Sequence, residues 1–259
     1  MGAIIPKKIH YCWFGGNPKS KIIEACIESW KKFLPDYEII EWNESNFDIH
    51  ICKYVEEAYE RKKWAFVSDY CRIWALYQHG GVYFDTDVEI IKDPEGIFEN
   101  ACVGFETKTH INPGLVVSCP ANDWLCRLML DEYNADSFIL ENGKNNYRTI
   151  CDRMTDFLVE KGLRLDNTFQ SVGGYNIYPT EYFNPYNSKK DKFEITEKTI
   201  TLHRFLASWQ NEDSCVIKKD TNLNGVIFVI LVKILGYERS KRFVAFVKRV
   251  LFRGGKDAK

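Results

Sequence analysis

Apolar positions in the first hundred residues alternate between the two periods that separate strands from helices. Lys7–Phe14 reads as a strand ending at Gly15-Gly16. Ile22, Ile23, Cys26, Ile27, Trp30 and Phe33 then recur at helical spacing until Pro35-Asp36 stops the pattern. Tyr37–Trp42 is a second strand. From about Trp64 to Gln78, Val67, Cys71, Trp74, Ala75 and Tyr77 mark a helix closed by Gly80-Gly81. Val82–Phe84 and Val88–Ile91 follow as short strands. Strand–helix–strand alternation of this kind predicts an α/β fold with a largely parallel sheet. Farther on, Ala101–Phe105, Leu115–Val117 and Thr199–Leu202 read as strands, and Asp123–Asn134 and Asn145–Lys161 as helices. No internal repeat is visible.

The C-terminal stretch has a different pattern. Gly225–Leu235 is apolar apart from Lys233 and too short to span a bilayer. Beyond it Arg239, Lys241, Arg242, Lys248, Arg249 and Arg253 are interleaved with Phe243, Val244, Phe246, Val247, Val250 and Leu251. Two readings fit: a basic amphipathic helix on anionic lipid, or a helix packed on the domain with a solvated basic face. The predicted organisation is one domain over 1–224 and a basic amphipathic helical segment over 225–259.

Composition narrows the partners. A chain of 259 residues can bury a sizeable core, and a net charge of −1 gives no reason to expect nucleic acid. The nine cysteines include no C-x-x-C pair. The closest pair, Cys119 and Cys126, is too widely spaced for one zinc knuckle, so free thiols in a reducing compartment are expected. The N-terminus lacks a secretory pattern, which makes the cytoplasm the default location.

The chemistry concentrates at Gly80-Gly81-Val82-Tyr83-Phe84-Asp85-Thr86-Asp87. Isolated D-x-D triplets are common on solvated turns. This one follows an apolar strand directly, so both carboxylates emerge at a strand's C-terminal end, where open α/β sheets bind ligands. Two such carboxylates suit a hard cation, Mn²⁺ or Mg²⁺, bridging the phosphates of a nucleotide-sugar. Upstream, Asp69 and Arg72 share one helical face. An intrahelical ion pair would account for the spacing, and so would contacts to the donor's hydroxyls and diphosphate. His203 follows another short strand and could complete the metal sphere, with Ser208 and Trp209 on the phosphates.

In combination and order these stretches, with Pro6–Gly16 and Ala65–Arg72, resemble the sugar-binding DXD glycosyltransferases. That group includes yeast-type initiating mannosyltransferases and bacterial capsule and lipopolysaccharide enzymes, and it is similar to the glucosyltransferase domain of clostridial toxins. The resemblance implies a GT-A type, Rossmann-like fold, a divalent metal and retention of anomeric configuration. It implies that Trp13 stacks on the nucleotide base, with its backbone neighbours, Ile9 and His10 among them, lining that pocket. Asp69 and Arg72 would hold ribose and donor sugar, and Asn112 would lie near that sugar. Asp85 would contact ribose or the metal's hydration shell, and Asp87 would bind the metal. UDP-sugars are the first expectation and GDP-mannose the second. The acceptor would be a polysaccharide or lipid-linked oligosaccharide at the inner membrane face. A metal-dependent nucleotidyltransferase or hydrolase, and a non-catalytic sugar-binding module, are the alternatives.

Overall fold

The computed structural model describes residues 4–187, 190 and 192–206. The expected boundary at residue 224, the basic tail, Ser208 and Trp209 lie outside the described residues.

In chain order the elements are β1 (Lys8–Cys12), α1 (Lys21–Phe33), β2 (Glu38–Trp42), α2 (Lys53–Glu60), α3 (Trp64–His79), β3 (Gly81–Tyr83) and β4 (Val88–Ile90). There follow β5 (Cys102–Gly104), β6 (Val117–Cys119), α4 (Trp124–Ala135), α5 (Ile150–Glu160), β7 (Gln170–Val172) and β8 (Tyr175–Tyr178). The described part ends with α6 (Thr180–Phe183), β9 (Tyr186–Asn187), β10 (Lys192–Phe193) and β11 (Thr201–His203).

Seven strands form one sheet in the order β2-β1-β3-β6-β5-β8-β7. Side-chain alternation sends successive residues to opposite faces and so divides the core in two. Val82 and Phe84 pack into one apolar cluster with Ile9, Tyr11, Trp30 and Cys102. Tyr83, Val103 and Val117 pack into the other, which holds the buried faces of α2, α3, α4 and α5. The protein is thus a sheet between helical layers, as the α/β reading requires.

The largely parallel sheet is corrected to a mixed one. β1 runs parallel to β2 and β3, and β5 parallel to β8, but β6 is antiparallel to both its neighbours and β7 to β8. Short runs of buried residues do not encode strand direction, which depends on how the connections cross.

The helix ends follow their capping chemistry. Ser20 caps α1 and Asp123 caps α4, each through a side-chain oxygen on a first-turn N–H. The expected helix from Asn145 begins only at Ile150, where Thr149 and Asp152 form a capping box. Asn145 instead bridges to Ile139. α2 and the β7–β8 hairpin were not anticipated.

The cysteines among the described residues are free, as expected. The turn into α4 brings the Cys119 and Cys126 sulfurs to 3.8 Å, despite their wide spacing in sequence. No described helix is long and apolar enough to cross a membrane.

Candidate active site

The reversal from α3 into β3 fixes where the carboxylates emerge. Gly80 and Gly81 have φ of 61° and 110°, the left-handed region that glycine enters at no steric cost. A Cβ on Gly81 would lie 2.6 Å from the Lys8 carbonyl oxygen, so the close approach to β1 also excludes a side chain. His10 secures this corner: its Nδ1 accepts from Trp42 Nε1 at 3.1 Å, and its Nε2 donates to the Gly80 carbonyl at 2.8 Å. Burial pushes the His10 pKa down to about 4, so the ring is neutral at ordinary pH. Ile9 and His10 are wholly enclosed. Their side chains therefore lie inside the protein.

Because β1 and β3 are parallel, Trp13 and Asp85 leave the sheet at the same edge. Trp13 is half-buried, its indole N–H donates to the Asn17 carbonyl at 2.6 Å, and Lys19 Nζ lies 5.6 Å from its ring.

After Tyr83, Phe84 returns to the core against Trp30 and Phe98. Asp85 is held on three sides. Its Oδ1 accepts from the Tyr83 hydroxyl at 3.0 Å and from Arg72 Nη2 at 3.1 Å. Its N–H donates to the Gly114 carbonyl at 2.9 Å. A Cβ on Gly114 would fall 2.0 Å from Asp85 Oδ2, so glycine at 114 is what admits the carboxylate. Asn112 builds the loop that carries Gly114, its Oδ1 accepting from the Gly114 N–H at 2.6 Å.

Asp87 is fastened to the far strand. β4 pairs antiparallel with β11, and that register sets Val88 opposite His203. Asp87 Oδ1 lies 3.1 Å from His203 Nε2, and Oδ2 accepts from the Leu206 N–H at 2.8 Å. Burial alone would raise the Asp87 pKa, but the hydrogen bond and charge of His203 outweigh it and hold the carboxyl below its usual value. Burial likewise works against protonated His203, and Asp87 outweighs it to raise the imidazole. Asp85, Asp87 and His203 each present one ligand atom, all within 4.8 Å of one another. The grouping expected from sequence is assembled.

Asp69 and Arg72 join it from α3. Arg72 Nη2 lies 3.0 Å from Asp69 Oδ1, so one nitrogen serves both Asp69 and Asp85. Its guanidinium sits 4.6 Å from the Tyr83 ring centre. Burial pushes Asp69 up to about 6, with Arg72 opposing and Asp85 reinforcing the shift. Tyr83 and Gly114 were missed in the sequence. Glycine two residues beyond Asn112 was the available signal for the second, and the two-residue spacing that puts Tyr83 and Asp85 on one strand face was the signal for the first.

Residues 20–103, which hold α1, α3 and both aspartates, match the family model described as glycosyltransferase sugar-binding region containing DXD motif. The chain carries a DXD-type glycosyltransferase region. It is a transferase, and its mixed seven-stranded sheet with flanking helices accords with the GT-A type of fold. Among solved structures the transferase is similar to the PaToxG glycosyltransferase, at 19% identity over 62% of this chain and 71% of that one, with a TM-score of 0.45. It is also similar to a glycosyltransferase involved in the glycosylation of the major capsid of PBCV-1, at 12% identity over 76% of this chain and 94% of that one, again with a TM-score of 0.45. No curated protein matches the sequence.

Proposed function

We propose that this transferase moves a sugar from a nucleotide-sugar donor, with Asp85, Asp87 and His203 as the ligands of a divalent cation. The observation that carries the reading is the convergence of those three side chains within 4.8 Å at the edge of the sheet where strand ends open. Two carboxylates and an imidazole are a donor set that suits Mn²⁺ and accommodates Mg²⁺. The buried His203 Nδ1 has no hydrogen-bond partner among the described residues. A cation held there would supply neutralisation of the diphosphate's negative charge.

The remaining residues position the reactants. Trp13 offers a flat ring for the base, and Arg72 and Asp69 hold the donor sugar while Arg72 fixes the Asp85 carboxylate. The Asn112 amide faces the same loop. Ser208 and Trp209 are assigned to the phosphates from the sequence alone. We favour retention by front-face attack: the acceptor hydroxyl forms its bond to the anomeric carbon as the carbon–phosphate oxygen bond breaks. The departing phosphate oxygen takes the hydroxyl proton. UDP-sugars are the preferred donors, GDP-mannose the second choice, and a polysaccharide or lipid-linked oligosaccharide at the inner membrane face the acceptor.

Thermal unfolding of the protein with UDP-glucose, UDP-galactose, UDP-N-acetylglucosamine and GDP-mannose, with and without Mn²⁺, tests this. Ligand at a hundred times its Kd stabilises by about 2.7 kcal/mol, so the true donor class raises the Tm by several degrees, and only with metal. Asp87→Ala abolishes that metal-dependent rise and lowers transfer about 1000-fold or more. An equal rise in Asp87→Ala, or transfer that survives chelation, overturns the reading.

A further inference from the structure

A third carboxylate stands at the same edge and is not used by the network above. Tyr83 on β3 and Val103 on β5 both pair with Val117 on β6, from opposite sides, so β3 and β5 run in the same direction and end level with each other. Asp85 lies two residues past Tyr83 and Glu106 three residues past Val103. With strands about 4.8 Å apart, these two chain ends leave the sheet about 10 Å from each other, close to the width of one sugar ring with its hydrogen-bonding shell.

The backbone of Glu106 is anchored and its side chain is not. Its N–H donates to the His110 carbonyl at 2.9 Å, and its carbonyl accepts from Asn184 Nδ2 at 3.1 Å. Its half-buried carboxylate makes no hydrogen bond or ion pair to any described residue. Strand alternation continued past β5 would turn Glu106 away from the cluster of Phe105 and toward the one that holds Phe183 and Ile200. α6 ties the two together: the Phe183 carbonyl accepts from Thr201 Oγ1 at 3.0 Å, and the Tyr182 carbonyl from the Ile200 N–H at 2.8 Å. Glu106 therefore lies near enough to the side of the cleft that holds Asp87 and His203 for its charge to act on the imidazole. Two enclosed polar atoms there have no partner among the described residues, Asn184 Oδ1 and His203 Nδ1, and Asn184 is only 3% exposed. The negative charge of Glu106 also acts on His203 and on the Cys151 thiol, which feels Asp69, Arg72 and Asp85 as well.

We propose that Glu106 is a sugar-binding carboxylate, accepting hydrogen bonds from hydroxyls of the sugar that lies between the end of β5 and the Asp85–Asp87–His203 group. A fixed backbone with an unpaired carboxylate suits vicinal hydroxyls, because both oxygens accept at once. The inference rests on the transferase reading. The sugar is either the one transferred or that of the acceptor, and the experiment separates these sources.

Calorimetric binding of UDP and of the best nucleotide-sugar from the panel above, each with Mn²⁺, is compared in the wild type, Glu106→Gln and Glu106→Ala. Thermal melts establish that the variants are folded. For the transferred sugar, UDP affinity is unchanged and nucleotide-sugar affinity falls about tenfold or more in both variants. For the acceptor sugar, both affinities hold, and KM for methyl glucoside, galactoside or mannoside rises about tenfold at saturating donor. If none of these glycosides accepts, the binding arm alone decides. Wild-type values in every arm overturn the assignment, and so does an equal loss for UDP itself, which would place Glu106 at the nucleotide. If the wild type binds neither UDP nor any nucleotide-sugar with Mn²⁺, the proposed nucleotide-sugar reading fails, and this assignment with it.

Discussion

Arg72 and Arg153 are both enclosed guanidiniums, each between two carboxylates and over a tyrosine ring, yet they sit in different parts of the molecule. Arg72 bridges Asp69 and Asp85 at 3.0 and 3.1 Å and lies 4.6 Å from the Tyr83 ring centre. Arg153 bridges Glu132 and Asp136 at 2.6 and 2.5 Å and lies 4.4 Å from that of Tyr133. The Arg153 cluster joins α4 to α5, and its acids also take Arg148 and Asn146. The Arg72 cluster joins α3 to the strand end where the D-x-D emerges. One of its carboxylates, Asp69, is pushed up to about 6 by burial. The same local chemistry therefore serves as a clamp in one place and as a preorganised, partly uncompensated site in the other.

Removing the clamp has the largest consequence for stability. Arg153→Met leaves Glu132 and Asp136 without their shared cation, and denaturant unfolding should show a loss of about 3 kcal/mol or more. Metal-dependent nucleotide binding in the remaining folded fraction stays near the wild-type affinity. A loss below 1 kcal/mol would dissolve the distinction between the two clusters.

Arg72→Lys is expected to do the reverse. It keeps the charge but loses the planar fork that serves two carboxylates at once. Transfer should fall about tenfold to a hundredfold, while the Tm shifts by only a few degrees. A large Tm drop with kcat/KM intact would make Arg72 a second clamp.

The smallest expected effect concerns Asp69. Its folded pKa of about 6 exceeds the ordinary 3.8, so between these values the native state holds a proton that the unfolded chain has released. Stability from this group is present below about pH 4 and is lost as pH rises through 6. Asp69→Asn removes that loss. The variant's stability relative to the wild type should improve as the pH rises from 4 to 7.5, while its transfer activity falls. Parallel pH profiles for the two proteins would contradict it.

Much of this site was legible before any fold was known. The D-x-D after an apolar strand, the Asp69–Arg72 spacing and a histidine closing a late strand all depend on patterns within a few residues. His10 shows what such reading leaves open. It lies in a stretch that resembles a nucleotide pocket, yet its ring is bound to Trp42 and Gly80 inside the sheet. Which face of a strand meets ligand and which meets core depends on partners far away in sequence. The strand directions were illegible for the same reason.

Local sequence, then, determined the strands and helices, the glycine reversal at 80–81 and the identity of the two aspartates, because periodicity, caps and left-handed φ are short-range effects. Tertiary structure alone decided that His203 meets Asp87 across 116 residues and that Gly114 admits Asp85. Those contacts depend on strand order and register, which arise only when the whole sheet is assembled.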